Sequence, residues 1–230
     1  MKTVTVNGDI ICNDLKWVYA WLEYESCCPA DIRKAAAELT DENEELKVII
    51  NSPGGDVQAG QEIYSILKDI KNPVTINVQS MAASAASMIA MAGDTVKMSP
   101  VALLMIHNAS TCTSGDYRDM QHTADVLQTV NTAIMQAYIA KTGKTEDELR
   151  EMMDKETWLT ANQCLEAGFA DEIIKDEKQS IITNAMIGRL SVTDEMIARV
   201  KAEKAAKDAA DAAAEAEKAA LLDDLYMYGM

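Results

Sequence analysis

"LKVIINSPGGDVQAGQEIYSILKDI", residues 46–70, decides the fold. Residues 46–50 are a short, largely β-branched run and read as a buried strand. "NSPGGD", 51–56, reads as a loop, because Pro and paired Gly punctuate regular structure. From Asp56 the apolar residues fall at Val57, Ile63, Ile66, Leu67 and Ile70, a helical spacing. "VTINV", 74–78, supplies the next strand. Strands alternating with helices imply an α/β fold with largely parallel strands.

The same alternation continues outward. Val4–Val6 and Ile10–Cys12 read as strand pieces around an Asn7-Gly8 turn, and "ADIRKAAAEL", 30–39, reads as a helix behind Pro29. A helix is expected from about Ala83 to Ala92, then strands at "TVKM", 95–98, and "ALLMIH", 102–107, separated by Pro100. A long helix is expected from Gly115 to Ala140, and another from "KTEDEL", 144–149. "TWL" at 157–159, a helix over "TANQCLEAG", 160–168, and "FADEII", 169–174, finish the pattern.

Composition shifts after residue 185, so residues 1–185 are expected as one domain and 186–230 as a charged, Ala-rich tail. Residues 201–220 hold 11 Ala and 9 charged residues and nothing else, a composition that favours helix. No Leu or Ile seam runs through them, so no ordinary coiled coil is expected. The tail reads as a solvated helix or as a partner-binding arm, and the chain ends in the apolar "LLDDLYMYGM". From residue 201 onward four Lys and seven Asp or Glu give a net of −3, leaving −13 of the total −16 on the rest. That acidity argues against nucleic acid, whose phosphates require clustered Lys and Arg, and against anionic membrane surfaces. Neither a signal peptide nor an apolar run of membrane-spanning length is apparent, so a cytosolic protein is expected. The five cysteines, Cys12, Cys27, Cys28, Cys112 and Cys164, read as reduced thiols, and their spacing is not that of a metal site.

"QSMAASAASMIAMAG", 79–93, places Ser80, Ser84 and Ser87 among small apolar residues. A serine at a helix start has free N–H groups and the positive end of the dipole beside it, which suits a developing oxyanion. Ser84 is therefore preferred over Ser87 as a nucleophile, and helix packing is kept for Ser80 and Ser87. The chain has two histidines. His107 ends a strand-like run, where α/β folds place ligands; it reads equally as a loop histidine. His122 sits among charged residues on a solvated helix face. The glycines of "NSPGGD" could turn N–H groups toward an anion or an oxyanion, or form a plain turn.

"VIINSPGGDVQAGQEIYSIL", "NVQSMAASAASMIAMAGD" and "LLMIHNA" resemble, in order and spacing, the proteolytic subunit of the Clp protease, ClpP. Over about residues 3–175 the chain looks like the ClpP-related head maturation proteases of tailed phages and prophages. The resemblance implies the ClpP/crotonase-like fold of repeated β-β-α units with a long handle helix. The family's nucleophile block "G-Q-A-A-S-M-G-A", with a Gly nine residues on, falls on Ser84 and Gly93. Its base falls on His107, and its oxyanion donors on Gly55 and Ala85. Its acidic triad member falls on Glu156 in "ETWLTA", with Asp154 as runner-up. Departures are Ser80 for a Gly, Ala85 for a Met, Asn108-Ala109 for Gln-Pro, and "STCTSGD" for a Gly-rich strand.

The resemblance implies a serine endopeptidase working through an acyl-enzyme, with no metal and no cofactor. It further implies a homo-oligomeric ring of stacked heptamers, cleaving capsid or scaffold proteins in the host cytoplasm or inside the procapsid. Two alternatives stand beside it. One is a cytoplasmic ClpP subunit working with an AAA+ unfoldase; the other is a crotonase-fold acyl-CoA enzyme.

Overall fold

Strand β3, Leu46–Gly55, lies between two parallel neighbours, β1 (Lys2–Ile10) and β4 (Val74–Ala83). In this computed structural model the chain divides into two units, residues 1–182 and 183–230. The structure describes residues 1–174 and 194–227. In the first unit the sheet runs β2-β1-β3-β4-β5-β8, where β2 is Ser26–Cys27, β5 is Thr95–Met98 and β8 is Glu172–Ile173. All of these pairings are parallel. The fold is the α/β architecture expected.

β4 serves two neighbours in succession. Residues 75–78 pair with β5, and residues 81–83 pair with β6, Leu103–Ile106. β6 in turn pairs antiparallel with β7, Thr157–Thr160. The far end of β4 is thereby handed from one sheet neighbour to another just before Ser84.

Alternation along β3 buries Leu46, Val48, Ile50, Ser52 and Gly54. Helix α3, Val57–Asp69, adds Ala59, Gly60, Ile63 and Leu67 to the buried residues, Gly60 facing Ala85 and Met88; burying Ile63 or Leu67 contributes about 2 kcal/mol each. Asp56 caps α3, its carboxylate accepting from Ala59 N–H at 2.7 Å. Short helix α4, Ala85–Ala90, is buried at every residue. The long α5, Tyr117–Thr142, starts at an Asp116–Asp119 capping box and stops at Gly143 in the left-handed conformation. Helices α6 (Glu146–Asp154) and α7 (Ala161–Ala167) carry Thr145 and Thr160 capping boxes. Their threonines precede Glu148 and Gln163 by three residues, the reciprocal spacing of that motif.

Three expectations change. "NSPGGD" is not a loop throughout: β3 continues to Gly55, with Ser52 opposite Ala82 and Ile10 opposite Gly55. The ladder tolerates Pro53, which has no N–H, because it shifts register on both sides there, between Ile50 and Ser52 and between Asn7 and Asp9. For the same reason Asn7-Gly8 is an irregularity inside one strand rather than a turn between two. The segment after Ile10 is not strand but a short 3-10 turn, Asn13–Leu15, followed by α1, Lys16–Trp21. The helix expected behind Pro29 is α2, Pro29–Ala37.

In the second unit α8 spans Asp194–Met227, the helical state its Ala, Lys and Glu content favours. The boundary expected after residue 185 and the last three residues of "LLDDLYMYGM" lie outside the described residues. No helix among the described residues is long and apolar enough to cross a membrane.

Candidate active site

Ser84 stands between β4 and α4 with φ 54° and ψ −125°, a conformation that residues with a Cβ avoid. Its N–H donates to Met105 O at 3.0 Å, continuing the β4–β6 pairing by one residue. Two residues beyond Met105 the chain reaches His107. That register brings His107 Nε2 to 2.8 Å from Ser84 Oγ. The pair is half-buried, with 29 % of the His107 side chain exposed.

Two backbone segments flank this point, the start of α4 and the end of β3. Ala85 is the first residue of α4, so its N–H has no intrahelical acceptor. On the other side, Asp56 N–H donates to Ile10 O at 2.8 Å. Alternate residues of a parallel strand bond to the same neighbour, so the preceding N–H, that of Gly55, points away from β1. Gly54 lies against the turn between β4 and α4: a Cβ there would sit 2.7 Å from Ser84 Cβ. Ser52, fully buried, holds this stretch by donating to Gly8 O at 2.6 Å and accepting from Gly54 N–H at 3.1 Å. Nothing in "NSPGGD" marks that serine beyond its inward place in the strand alternation.

Beside Ser84 and His107 lies a small cavity of about 10 Å³, walled by Val57, Met88, Ala109, Ile134 and Tyr138. Its walls are mostly apolar, and it has room for about one water. A wider groove of about 510 Å³ runs past Gly55 between the start of α3 and α5, reaching His122, Val126 and Val130. His122 is exposed on α5, as its charged neighbours suggested.

The other two serines are occupied. Ser87 is buried, its hydroxyl bonded to Ser84 O and to the Tyr138 hydroxyl. Ser80 donates to Asn51 Oδ1 on the adjoining strand, which gives a physical reason for a hydroxyl where the related block has Gly.

The acidic residues are more loosely placed. Glu156 Oε2 lies 3.9 Å from His107 Nδ1, beyond hydrogen-bond length. Its other oxygen accepts from Trp158 Nε1 at 3.2 Å, and 58 % of its side chain is exposed. Asp154 is aimed one residue along: its Oδ1 accepts from Asn108 Nδ2 at 2.8 Å. Of the two, Glu156 is the one the structure brings to His107.

All five cysteines are unpaired. Burial pushes the Cys27 and Cys164 thiols up to about 12 and raises that of Cys28, so these three stay protonated and poor nucleophiles. Among the described residues no cluster of three or more His, Cys, Asp or Glu could hold a metal ion.

Residues 34–177 match the Clp protease family. The chain is 32% identical over 141 residues to the ATP-dependent Clp protease proteolytic subunit 1 of Protochlamydia amoebophila, covering 60% of this chain and 68% of that one. It is 32% identical over 142 residues to the subunit of the same name from Chlamydia muridarum, with 60% and 73% covered. It is also 32% identical over 136 residues to the proteolytic subunit 2 of Thermobifida fusca, with 58% and 67% covered. These matches favour a proteolytic subunit over an acyl-CoA enzyme. With more than half of its length matched, the chain belongs to the Clp protease family and is a serine-type peptidase, a proteolytic subunit of the ClpP kind.

Proposed function

We propose that Ser84 is the nucleophile, His107 its general base, and Glu156 the group that orients His107, while the Gly55 and Ala85 N–H groups bind the oxyanion. The observation that carries this reading is the 2.8 Å contact between His107 Nε2 and Ser84 Oγ. With Nε2 accepting the hydroxyl proton, the neutral ring carries its own proton on Nδ1, the nitrogen that faces Glu156.

Ser84 Oγ attacks the scissile carbonyl carbon as His107 takes its proton. The carbonyl oxygen becomes an anion between the two N–H groups, each worth roughly 3 kcal/mol to the transition state. The C–N bond then breaks, and His107 returns the proton to the leaving amine. Water, deprotonated by His107, releases the acyl group from Ser84. A fluorophosphonate probe followed by mass spectrometry of the labelled peptide tests the nucleophile. Modification of Ser84 supports the assignment, and modification of another serine with Ser84 untouched removes it.

Glu156→Ala is expected to lower kcat by about tenfold to a hundredfold, because a misoriented His107 loses its working tautomer. Asp154→Ala, acting only through Asn108, is expected to cost less than threefold by the same logic. Steady-state kinetics of the two variants decides between them, and the reverse ranking would give the third place to Asp154.

The finer reading is that the enzyme matures capsid or scaffold proteins as a homo-oligomeric ring of stacked heptamers, in the host cytoplasm or inside the procapsid. Support comes from the helix beyond residue 193, outside the family match, and from the departures between Asn108 and Asp116. On this reading residues 186–230 form an appended tail. The second reading, a subunit that feeds from an AAA+ unfoldase, draws support from relatives named as ATP-dependent. Digestion of a folded reporter and of a scaffold-type protein, each with and without an AAA+ partner and ATP, separates them. Unaided cleavage of the scaffold protein supports maturation. Cleavage of the folded reporter only with the ATPase supports the second reading.

A further inference from the structure

We propose that Ser87 and Tyr138 are positioning residues that aim the Ala85 N–H at the oxyanion. This rests on Ser84 being the nucleophile. The Ser84 carbonyl oxygen accepts three bonds: from Ser87 N–H at 3.0 Å, Met88 N–H at 3.4 Å and Ser87 Oγ at 2.6 Å. Among the described residues no peptide bond is cis. In a planar trans peptide, C=O and the following N–H point in opposite directions. Whatever anchors the Ser84 oxygen therefore sets where the Ala85 N–H points. Pulling the oxygen into α4 turns that N–H outward to the reacting centre.

The anchoring is needed because Ser84, at φ 54°, occupies a backbone conformation that relaxes unless held. The hydrogen-bond chain has one direction only. A carbonyl accepts and never donates, so the single Ser87 proton goes to Ser84 O. The contact of 2.8 Å between Ser87 Oγ and the Tyr138 hydroxyl must then have Tyr138 as donor. Burial pushes Tyr138 up to about 12, so it keeps that proton at any working pH. Ser87 and Tyr138 are 0 % and 1 % exposed, so water cannot replace either partner. Tyr138 lies on α5, held edge-on by Phe169 with ring centres 6.0 Å apart. The chain Tyr138–Ser87–Ser84 thus fastens the nucleophile turn to the long helix across α4.

The Clp block quoted above has Ala three residues after its nucleophile, so Ser87→Ala leaves a side chain that this turn accommodates. Tyr138→Phe keeps the ring and removes only the donor. In the full-length protein, Ser87→Ala is expected to lower kcat on a fluorogenic peptide about tenfold, and Tyr138→Phe about threefold, with KM unchanged. Inhibition by a peptide boronate, whose adduct is tetrahedral and anionic, is expected to weaken by the same factors. Affinity for the corresponding product peptide is expected to stay the same. A purely structural role would lower the melting temperature without this split between tetrahedral and ground-state ligands. Unchanged kcat and boronate inhibition, with Ser84 still labelled by fluorophosphonate, would overturn the positioning role alone. Wild-type labelling at a residue other than Ser84 would overturn the nucleophile reading and this one with it.

Discussion

Ser84→Ala is expected to abolish peptide cleavage, lowering kcat by roughly 10⁵-fold or more, because no other group in the site can form the acyl-enzyme. His107→Ala should fall to about the same floor, and the double variant no lower, since the two residues act as a unit. The oxyanion donors and substrate binding supply what activity is left. Stability should hardly change. The side chain is half-buried and loses one hydrogen bond to a partly exposed ring, worth about 1 kcal/mol. The positive φ remains, because Ala is as strained there as Ser. Kinetics of the purified variant, with circular dichroism to confirm the fold, checks this. Residual cleavage within a hundredfold of wild type would show that another residue carries the chemistry.

Gly55→Ala is expected to damage the fold and the site together. Gly55 has φ 145°, and a Cβ there would lie 2.2 Å from Ile10 O and 2.8 Å from Ile10 N. These are backbone atoms of the paired strand, so no side-chain rotation relieves the collision. Opening β1 from β3 also moves the Gly55 N–H. The cost is roughly 3–5 kcal/mol from backbone strain and overpacking together, a fall of about 10 °C in melting temperature. Gly143→Ala is the control. Gly143 is also at positive φ, 70°, but a Cβ there meets nothing within 4 Å. It should cost only the conformational penalty, about 1–2 kcal/mol, with activity intact. Equal melting temperatures for the two variants would mean that the β1 contact is not the source of the Gly55 effect.

Much of the architecture was legible because it is local. Leu46–Ile50 and Val74–Val78 are apolar runs too short for helices, and the α3 seam through Ile63 and Leu67 has an unmistakable period. The caps at Asp56, Thr145 and Thr160 have the side chains that such positions require. What was not legible depends on partners distant in the chain. The extension of β3 through Pro53 to Gly55 needs β1 and β4 on either side, and Pro-Gly-Gly carries no local mark of a strand. β2 is two residues long and exists only because Ile10 lies opposite Cys27. Tyr138 reads from its spacing as an ordinary core residue of α5; only the fold reveals that its hydroxyl meets Ser87, 51 residues earlier.

The site divides along the same line. Sequence alone determined the chemical inventory: a serine among small residues after a strand, two histidines to choose between, paired glycines, and an acidic body unsuited to nucleic acid. The matched blocks determined the family. Only the tertiary structure decided which groups meet. The β4–β6 register brings His107 to Ser84, and the α6–β7 turn leaves Glu156 at 3.9 Å while sending Asp154 to Asn108. The reason is physical. Propensity and periodicity act over a few residues, whereas a contact of 2.8 Å between positions 84 and 107 is set by how two strands align in a sheet that neither segment specifies alone.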